Sequence, residues 1–427
     1  MAEKQPVIYD EDKIKTLSSL DHIRLRPGMY IGRMGNGTHQ DDGIYILLKE
    51  VIDNCIDEFI MGHGKRIEVD VTESSARIRD YGRGIPLGKM IDCVSQINTG
   101  AKFNDEVFQF SVGLNGVGTK AVNALSKTFA VQSHREGKYK RAEFENGTLV
   151  NEIDGTTSEE NGTMMEFIPG DLFPNYRFKD DFIRRRMWNY AYLNAGLTIM
   201  FNGERIYSRS GLFDLLNDKL EGDNLYKIIH HREQKLEFAF CHTSEFGETY
   251  YSFVNGQYTN DGGTHQSAFR EGILKAVNEF ARKNYHPDDV RTGIFGAIAI
   301  KLKEPIFESQ TKNKLGNAEI RSEIVNSVKS ALVKYLHQNQ DIAEPMLEKI
   351  GQNEKYRKEI QAVKKASKEK AKKIALKIPK LKDSKYHLCD RGDRGANTQL
   401  FLTEGESAAG SMVSCRDVYR QAIFPLK

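Results

Sequence analysis

From Leu47 to Ile60 the chain reads LLKEVIDNCIDEFI. Glu50, Asp53, Asn54, Asp57 and Glu58 recur at i, i+3, i+4, i+7 and i+8, so they share one face of a helix. Leu48, Val51, Ile52, Cys55, Ile56 and Phe59 take the other face, and Leu47 lies nearer the acids. Two readings are open. The helix can lie on the surface with its acids in water. Alternatively, the acids can form a cluster that holds a metal ion or accepts a proton. Like charges one turn apart repel, so solvated faces usually mix signs. Here four carboxylates gather, and Lys49 is expected to project away from them.

The same patterning predicts a layered α+β domain over about residues 40–210. RIEVDV, ARIRD, FAVQSH and TMMEFI alternate as strands, and GTKAVNALS reads as a helix. A second mixed region is expected over about 226–352. It contains the strand FGAIAIKL and the helices SAFREGILKAVNEFARK and AEIRSEIVNSVKSALVKYLHQ. Asn353 to Lys377 carries ten Lys/Arg against three Glu without Gly or Pro, and Pro379 ends the pattern. That stretch is either a solvated helix between domains or a basic rod facing a phosphate backbone. TQLFLTEGESAAG then predicts a strand, an acidic turn and a helix, and QAIFPLK begins another strand.

Composition narrows the class without naming a function. A chain of 427 residues predicts two or three domains. No apolar run approaches the roughly 18 residues of a membrane helix. The N-terminal MAEKQPVIYDEDKIK lacks the apolar core of a secretory leader. The cysteines, Cys55, Cys93, Cys241, Cys389 and Cys415, are scattered without a C-x-x-C pair. Neither a disulfide framework nor a zinc site is indicated, and a reduced, cytoplasmic setting is expected. Net charge is +3, too small to imply nucleic acid.

Two Gly-rich segments supply candidate chemistry. In RIRDYGRGIP, Asp80 ends a strand and Gly82 and Gly84 follow. Such a turn is ordinary by itself. A buried carboxylate there could accept a hydrogen bond from an exocyclic amine, with glycines admitting a ring close to the backbone. In SVGLNGVGTKAVNALS, Gly113, Gly116 and Gly118 precede a helix. Free N–H groups and the helix dipole there favour anions. Thr119 and Lys120 stand in the wrong order for a P-loop, and the dinucleotide G-x-G-x-x-G is not matched.

The ordered set is a helix with Glu50 and Asn54, then Asp80-x-Gly-x-Gly, then Gly113 to Gly118, then Gly162-Thr163. It resembles the GHKL (Bergerat) ATP-binding fold of type II topoisomerases, Hsp90-type chaperones, histidine kinases and MutL proteins. LDHIRLRPGMYIG, YTNDGGTHQSAFR, ESQTKNKLGN and LFLTEGESAAGS are similar to segments of bacterial type II topoisomerase ATPase subunits, in the same order. The resemblance implies three domains. Residues 1–225 would be a GHKL ATPase sandwich with an N-terminal dimerisation arm. Residues 226–377 would be a ribosomal-protein-S5-like α/β transducer domain with a basic C-terminal helix. Residues 378–427 would begin a Toprim domain.

The resemblance also implies residue roles. Glu50 matches the general base, Asn54 the Mg²⁺ ligand and Asp80 the adenine acceptor. Gly82, Gly84 and Thr163 would line the ATP pocket. Gly113, Leu114, Asn115, Gly116, Val117 and Gly118 would form its phosphate loop. Tyr9 matches an arm residue that reaches the partner subunit's nucleotide, and Lys102 a lysine near the phosphates. Gln310, Thr311 and Lys312 match the transducer loop whose lysine contacts the γ-phosphate. Glu404 matches the first acid of the Toprim metal site. The cofactors implied are ATP and Mg²⁺. The partners are double-stranded DNA, a second copy of the chain, and an A-type subunit carrying the cleavage tyrosine, with no membrane.

Several positions depart from the family pattern. Tyr81 stands where bacterial members commonly have Asn, Asn115 where they often have His, and Phe108 where an adenine-contacting Tyr is common. Glu406 replaces the Asp of E-G-D-S. Asp57 is open between a helix-face carboxylate and a site residue. Glu58 with Arg83 reads as a structural ion pair beneath the pocket. Lys314 reads as solvated, and His22, His39, His63 and His265 as structural or surface residues without metal spacing. A MutL-like clamp and a non-hydrolysing DNA-binding scaffold are the alternatives. TEGES and QTKNK disfavour the first; Glu50 together with Lys312 disfavours the second.

Overall fold

The computed structural model describes residues 16–100, 116–220, 222–308, 312–373, 378–390 and 392–427. Tyr9, Lys102, Phe108, Gly113, Leu114, Asn115, Gln310 and Thr311 lie outside them. The chain forms two compact units, Met1–Glu354 and Lys355–Lys427.

The first unit contains two hydrophobic cores. The first core lies under an eight-stranded sheet. Its strands are β1 (Arg66–Val71), β2 (Ala76–Asp80), β3 (Ser126–Arg135), β4 (Lys138–Glu145), β5 (Thr148–Thr156), β6 (Gly162–Pro169), β7 (Thr198–Phe201) and β8 (Glu204–Tyr207). They run in the order β5-β4-β3-β6-β2-β1-β7-β8, antiparallel except where β1 meets β7. The helix Gly43–Ile60 packs on β2 and β6 and against the helix Gly118–Leu125. Alternation along β2 sends Ala76, Ile78 and Asp80 toward this core. On other positions of the sheet Arg77 and Arg141 pair with Glu166 at 3.4 and 3.1 Å, half-exposed. Cross-strand ion pairs of this kind keep one sheet face wet while the other is buried.

The second core surrounds a five-stranded sheet: β9 (Ile229–Arg232), β10 (Leu236–His242), β11 (Thr249–Val254), β12 (Gln257–Tyr258) and β13 (Ile294–Ile300), ordered β12-β11-β13-β10-β9. The β11–β13 pair is parallel, which requires a crossover. The helix Thr264–Ala281 supplies it and packs against Arg321–Gln338. The helix Leu212–Leu220 also belongs to this second core. In the second unit, β14 (Gln399–Thr403) and β15 (Gln421–Pro425) pair in parallel beside the helix Glu406–Cys415.

Two expectations need correction. The basic segment is part of a 34-residue helix, Gln340–Lys373, that starts well before Asn353. Ile342, Ala343, Met346 and Ile350 on its first turns are buried in the second core, so burial and not charge starts it. The acid helix is not a solvated surface element either. Asp53 and Asp57 are 1% and 0% exposed. Lys49 does not project away: its ammonium pairs with Asp53 one turn on. The charge mixing missing from the acidic face is supplied inside the protein.

Backbone proximity tests this packing directly. Gly162 has φ +148°, and a Cβ there would land on the carbonyl oxygen of Asp80. Gly162→Ala should therefore cost on the order of 2 kcal/mol or more of stability. Gly88, with nothing within 4 Å of its Cβ position, is the control. Equal melting temperatures for the two alanine variants would contradict the β2–β6 geometry.

Candidate functional site

One cavity of about 900 Å³ opens in the first unit. Its lining comes from distant parts of the chain: Glu50 and Asn54, Asp80 and Gly84, Gly116 to Lys120, Thr163, and Lys312. Its volume lies in the range of small-molecule and cofactor sites.

The acid helix presents Glu50 and Asn54 on the turn that faces this space. Asn54 Nδ2 donates to the carbonyl oxygen of Glu50 at 2.8 Å, which fixes the amide's orientation. A Cβ on Gly118 would overlap Glu50 Oε2. A side chain there would push the Glu50 carboxylate off the first turn of the helix Gly118–Leu125, on which it rests. Gly116 just before it has φ +60°. Lys120 is buried, donates to the Thr99 carbonyl at 2.7 Å and faces the cavity.

Asp80 lines the same cavity from the end of β2. It is 5% exposed, and its Oδ1 accepts from the N–H groups of Gly82 at 2.8 Å and Thr163 at 3.2 Å. Burial pushes its pKa up to about 6, and these two hydrogen bonds only partly oppose that. A carboxylate held in this state gains from any ligand that brings a further donor. Gly84 has φ +74° and passes close to the His134 carbonyl.

Glu58 and Arg83 form the expected ion pair. Arg83 Nε and Nη2 donate at 3.0 and 2.9 Å, and its backbone N–H at 2.9 Å. Burial would raise the Glu58 pKa, but these bonds outweigh it and lower it. A Cβ at Gly82 would come within 2.8 Å of Glu58, so the first glycine of the motif makes room for this pair. Tyr81 turns out of the site. Its ring lies between the Arg66 and Arg79 guanidinium groups, 4.1 and 4.9 Å away, and its hydroxyl donates to Glu68. That accounts for its tolerance beside Asp80.

Lys312 reaches the cavity from the second core with φ +57°. The segment after it is fastened to the turn before the helix Thr264–Ala281. Asp261 N–H donates to the Asn313 carbonyl at 3.0 Å, and Leu315 N–H to the Gly262 carbonyl at 3.1 Å. His265 is fully buried, the structural one of its two readings, and Lys314 pairs with Glu308 at 2.9 Å.

Sequence reasoning missed the side of the cavity formed by Lys49, Arg185, Arg186, Asn189 and Tyr190. Only the i, i+4 spacing of Lys49 and Asp53 could have signalled it. Glu404 lies in the second unit with its side chain 90% exposed, 3.8 Å from Lys427 Nζ. Among the described residues no three His, Cys, Asp or Glu side chains gather as a metal site. Mg²⁺ does not need one: it keeps several waters and takes few protein oxygens beside phosphates. The Asn54 amide oxygen beside Glu50 fits that donor chemistry.

Known proteins resemble this chain in sequence and fold. A family model described as histidine kinase-, DNA gyrase B- and HSP90-like ATPase matches residues 39–168, and one described as DNA gyrase B matches residues 211–366. The B subunit of DNA topoisomerase 4 from Borreliella burgdorferi is 54% identical over 421 residues, covering 98% of this chain and 70% of that protein. The B subunit of DNA gyrase from Helicobacter pylori is 33% identical over 452 residues, covering 98% of this chain and 57% of that protein. The crystal structure of the 43K ATPase domain of Thermus thermophilus gyrase B, in complex with an aminocoumarin, superposes with a TM-score of 0.69. It is 29% identical and covers 82% of this chain and 98% of that one. An ATPase sandwich followed by the gyrase-B-type second domain, in one chain and over nearly its whole length, means that this protein belongs to the B-subunit family of type II DNA topoisomerases.

Proposed function

We propose that the cavity binds ATP with Mg²⁺ and hydrolyses it to drive closure of a dimeric clamp on DNA. The observation that carries this reading is the convergence of Glu50, Asn54, Asp80 and Lys312 on one cavity. At the sheet end, the Asp80 carboxylate would accept the adenine amine, with the Gly82 and Thr163 N–H groups holding its orientation. At the other end, the N–H groups at the start of the helix Gly118–Leu125 would meet the phosphates. Glu50 would orient the attacking water and take its proton as oxygen bonds to the γ-phosphorus and ADP leaves. Asn54 would hold Mg²⁺, which neutralises phosphate charge when bound. Lys312 would contact the γ-phosphate as a point charge. Tyr9, Lys102, Gly113, Leu114, Asn115 and Gln310 complete the site on the family resemblance alone.

The proposed assembly is a homodimer of this chain with an A-type subunit, acting in the cytoplasm on double-stranded DNA. Residues 1–225 would be the ATPase domain with its dimerisation arm, 226–377 the transducer and 378–427 the start of the Toprim domain with Glu404. The higher identity to a topoisomerase IV subunit than to a gyrase subunit favours relaxation and decatenation over supercoiling. Reconstitution with an A-type subunit separates these: negative supercoils introduced into relaxed plasmid would identify a gyrase.

Three variants test the site. Glu50→Gln should lower turnover roughly 10²–10⁴-fold with ATP affinity nearly intact; near-normal hydrolysis refutes the base. Asp80 gives a pH signature. Its raised pKa means the fold favours the protonated form. That stability is full below about pH 4 and is lost as pH rises through about 6. Nucleotide affinity should run the other way, falling about tenfold per unit as pH drops below about 6. Asp80→Asn should abolish binding in calorimetry and flatten the pH dependence of melting. Lys312→Gln should slow hydrolysis about tenfold or more while ADP affinity holds, because ADP lacks the γ-phosphate. Equal loss of ATP and ADP binding would place Lys312 in the general pocket.

A further inference from the structure

The helix Asp180–Leu193 has two working faces. Ile183, Met187, Tyr190 and Ala191 are buried in the first core, Tyr192 is buried in the second, and Trp188 packs against both. Trp188 stacks on Tyr192 with centroids 5.4 Å apart. The Tyr192 hydroxyl donates to Asp218, on the helix Leu212–Leu220 of the second core. On the other face, this helix grips the acid helix at two points. Arg186 donates to the Tyr45 carbonyl at 2.7 Å. The Tyr190 hydroxyl donates to Asp53 Oδ1, and the Lys49 ammonium holds the other Asp53 oxygen.

Tyr45 and Asp53 lie eight residues, roughly 12 Å, apart along the acid helix. Two grips at that separation fix its rotation about its own axis. The rotation matters because Asp53 directly precedes Asn54 and lies one turn past Glu50. A turn of about 15° would carry a side-chain oxygen about 6 Å from the axis through roughly 1.5 Å. A misplacement of about 1 Å can cost about 10²-fold in rate. A buried ion pair is a poor way to gain stability alone, since apolar side chains of similar volume usually do as well. Lys49, Tyr190 and Asn54 all line the cavity.

We propose that Asp53, clamped by Tyr190 and Lys49, is the positioning residue of the hydrolytic site and the contact that passes nucleotide occupancy to Trp188 at the seam of the two cores. The proposal rests on the ATP reading of the cavity. It adds a mechanical role for residues that touch neither phosphate nor adenine in that reading.

Trp188 is the sole tryptophan, so indole emission, excited where the 18 tyrosines do not absorb, reports this seam alone. In the full chain, titration with Mg²⁺ and the β,γ-imido analogue of ATP should shift Trp188 emission. Affinity is measured in parallel by calorimetry. Tyr190→Phe should keep affinity and KM within about threefold, lower kcat about tenfold, and abolish most of the emission change. Asp53→Asn keeps an oxygen for Tyr190, so it should retain the emission change, whereas Asp53→Leu should lose it. Thermal melts set the assay temperature below every variant's transition. A Tyr190→Phe protein with a lower melting temperature but wild-type kcat and emission response would make the contact merely structural and overturn the proposal. So would loss of affinity in step with kcat, or a wild-type emission that ignores bound analogue. Should the wild type not bind the analogue at all, the ATP reading fails and this proposal with it.

Discussion

Taking carboxylates out of water is the constraint on which the rest of this structure depends. Asp42, Asp53, Asp57 and Asp80 are all at most 5% exposed. Each buried charge demands dedicated donors, and those donors fix the backbone around it. Asp42 holds Arg33 at 3.0 Å and the Gly37 N–H at 2.9 Å, which folds the loop entering the acid helix. Asp53 takes Lys49 and Tyr190. Asp80 takes two backbone N–H groups, from Gly82 and from Thr163 on a neighbouring strand. The glycines of the site follow from the same demand, because Gly82 lies against Glu58 and Gly118 against Glu50.

Asp53 and Asp80 are not satisfied equally, and the inequality separates scaffold from chemistry. Asp53 has an ammonium and a phenol. Asp80 has two amides that fail to offset its burial, so its pKa stands near 6. An under-satisfied carboxylate at the wall of a cavity is a place where a ligand donor gains free energy. Glu58, by contrast, is saturated by Arg83 and serves as a floor.

The proposed reaction divides the nucleotide between two mechanical parts. In that proposal the adenine end would rest on β2 and β6, in the interior of a sheet. The phosphate end is bounded by the acid helix, by a glycine turn and by Lys312, which comes from the other core. Only the phosphate end changes on hydrolysis. A shared helix whose faces enter both cores is the kind of element through which such a change can be felt at a distance.

The local order of this protein is written in its sequence. The 3.6-residue period located the acid helix, and alternation located β1, β2, β3 and β6. The A-I-D parity of β2 already aimed Asp80 at the core, because strand side chains alternate without regard to charge. The ordered glycines marked the turns, since a positive φ or a missing Cβ leaves a residue-type signature. Partners across the chain leave none. The i, i+4 spacing allows Lys49 to meet Asp53, but nothing in it foretells a tyrosine 137 residues from Asp53 on the same carboxylate, and only the family resemblance, not periodicity, put Lys312 and Glu50 in one site. Nor did charge reveal that the basic helix begins inside a core, because Ile342 and Met346 are ordinary apolar residues until packing buries them. Periodicity is a property of neighbours along the chain. Which buried charge meets which donor is decided only when the helix Asp180–Leu193 closes over the acid helix and the second core brings its lysine to the same space.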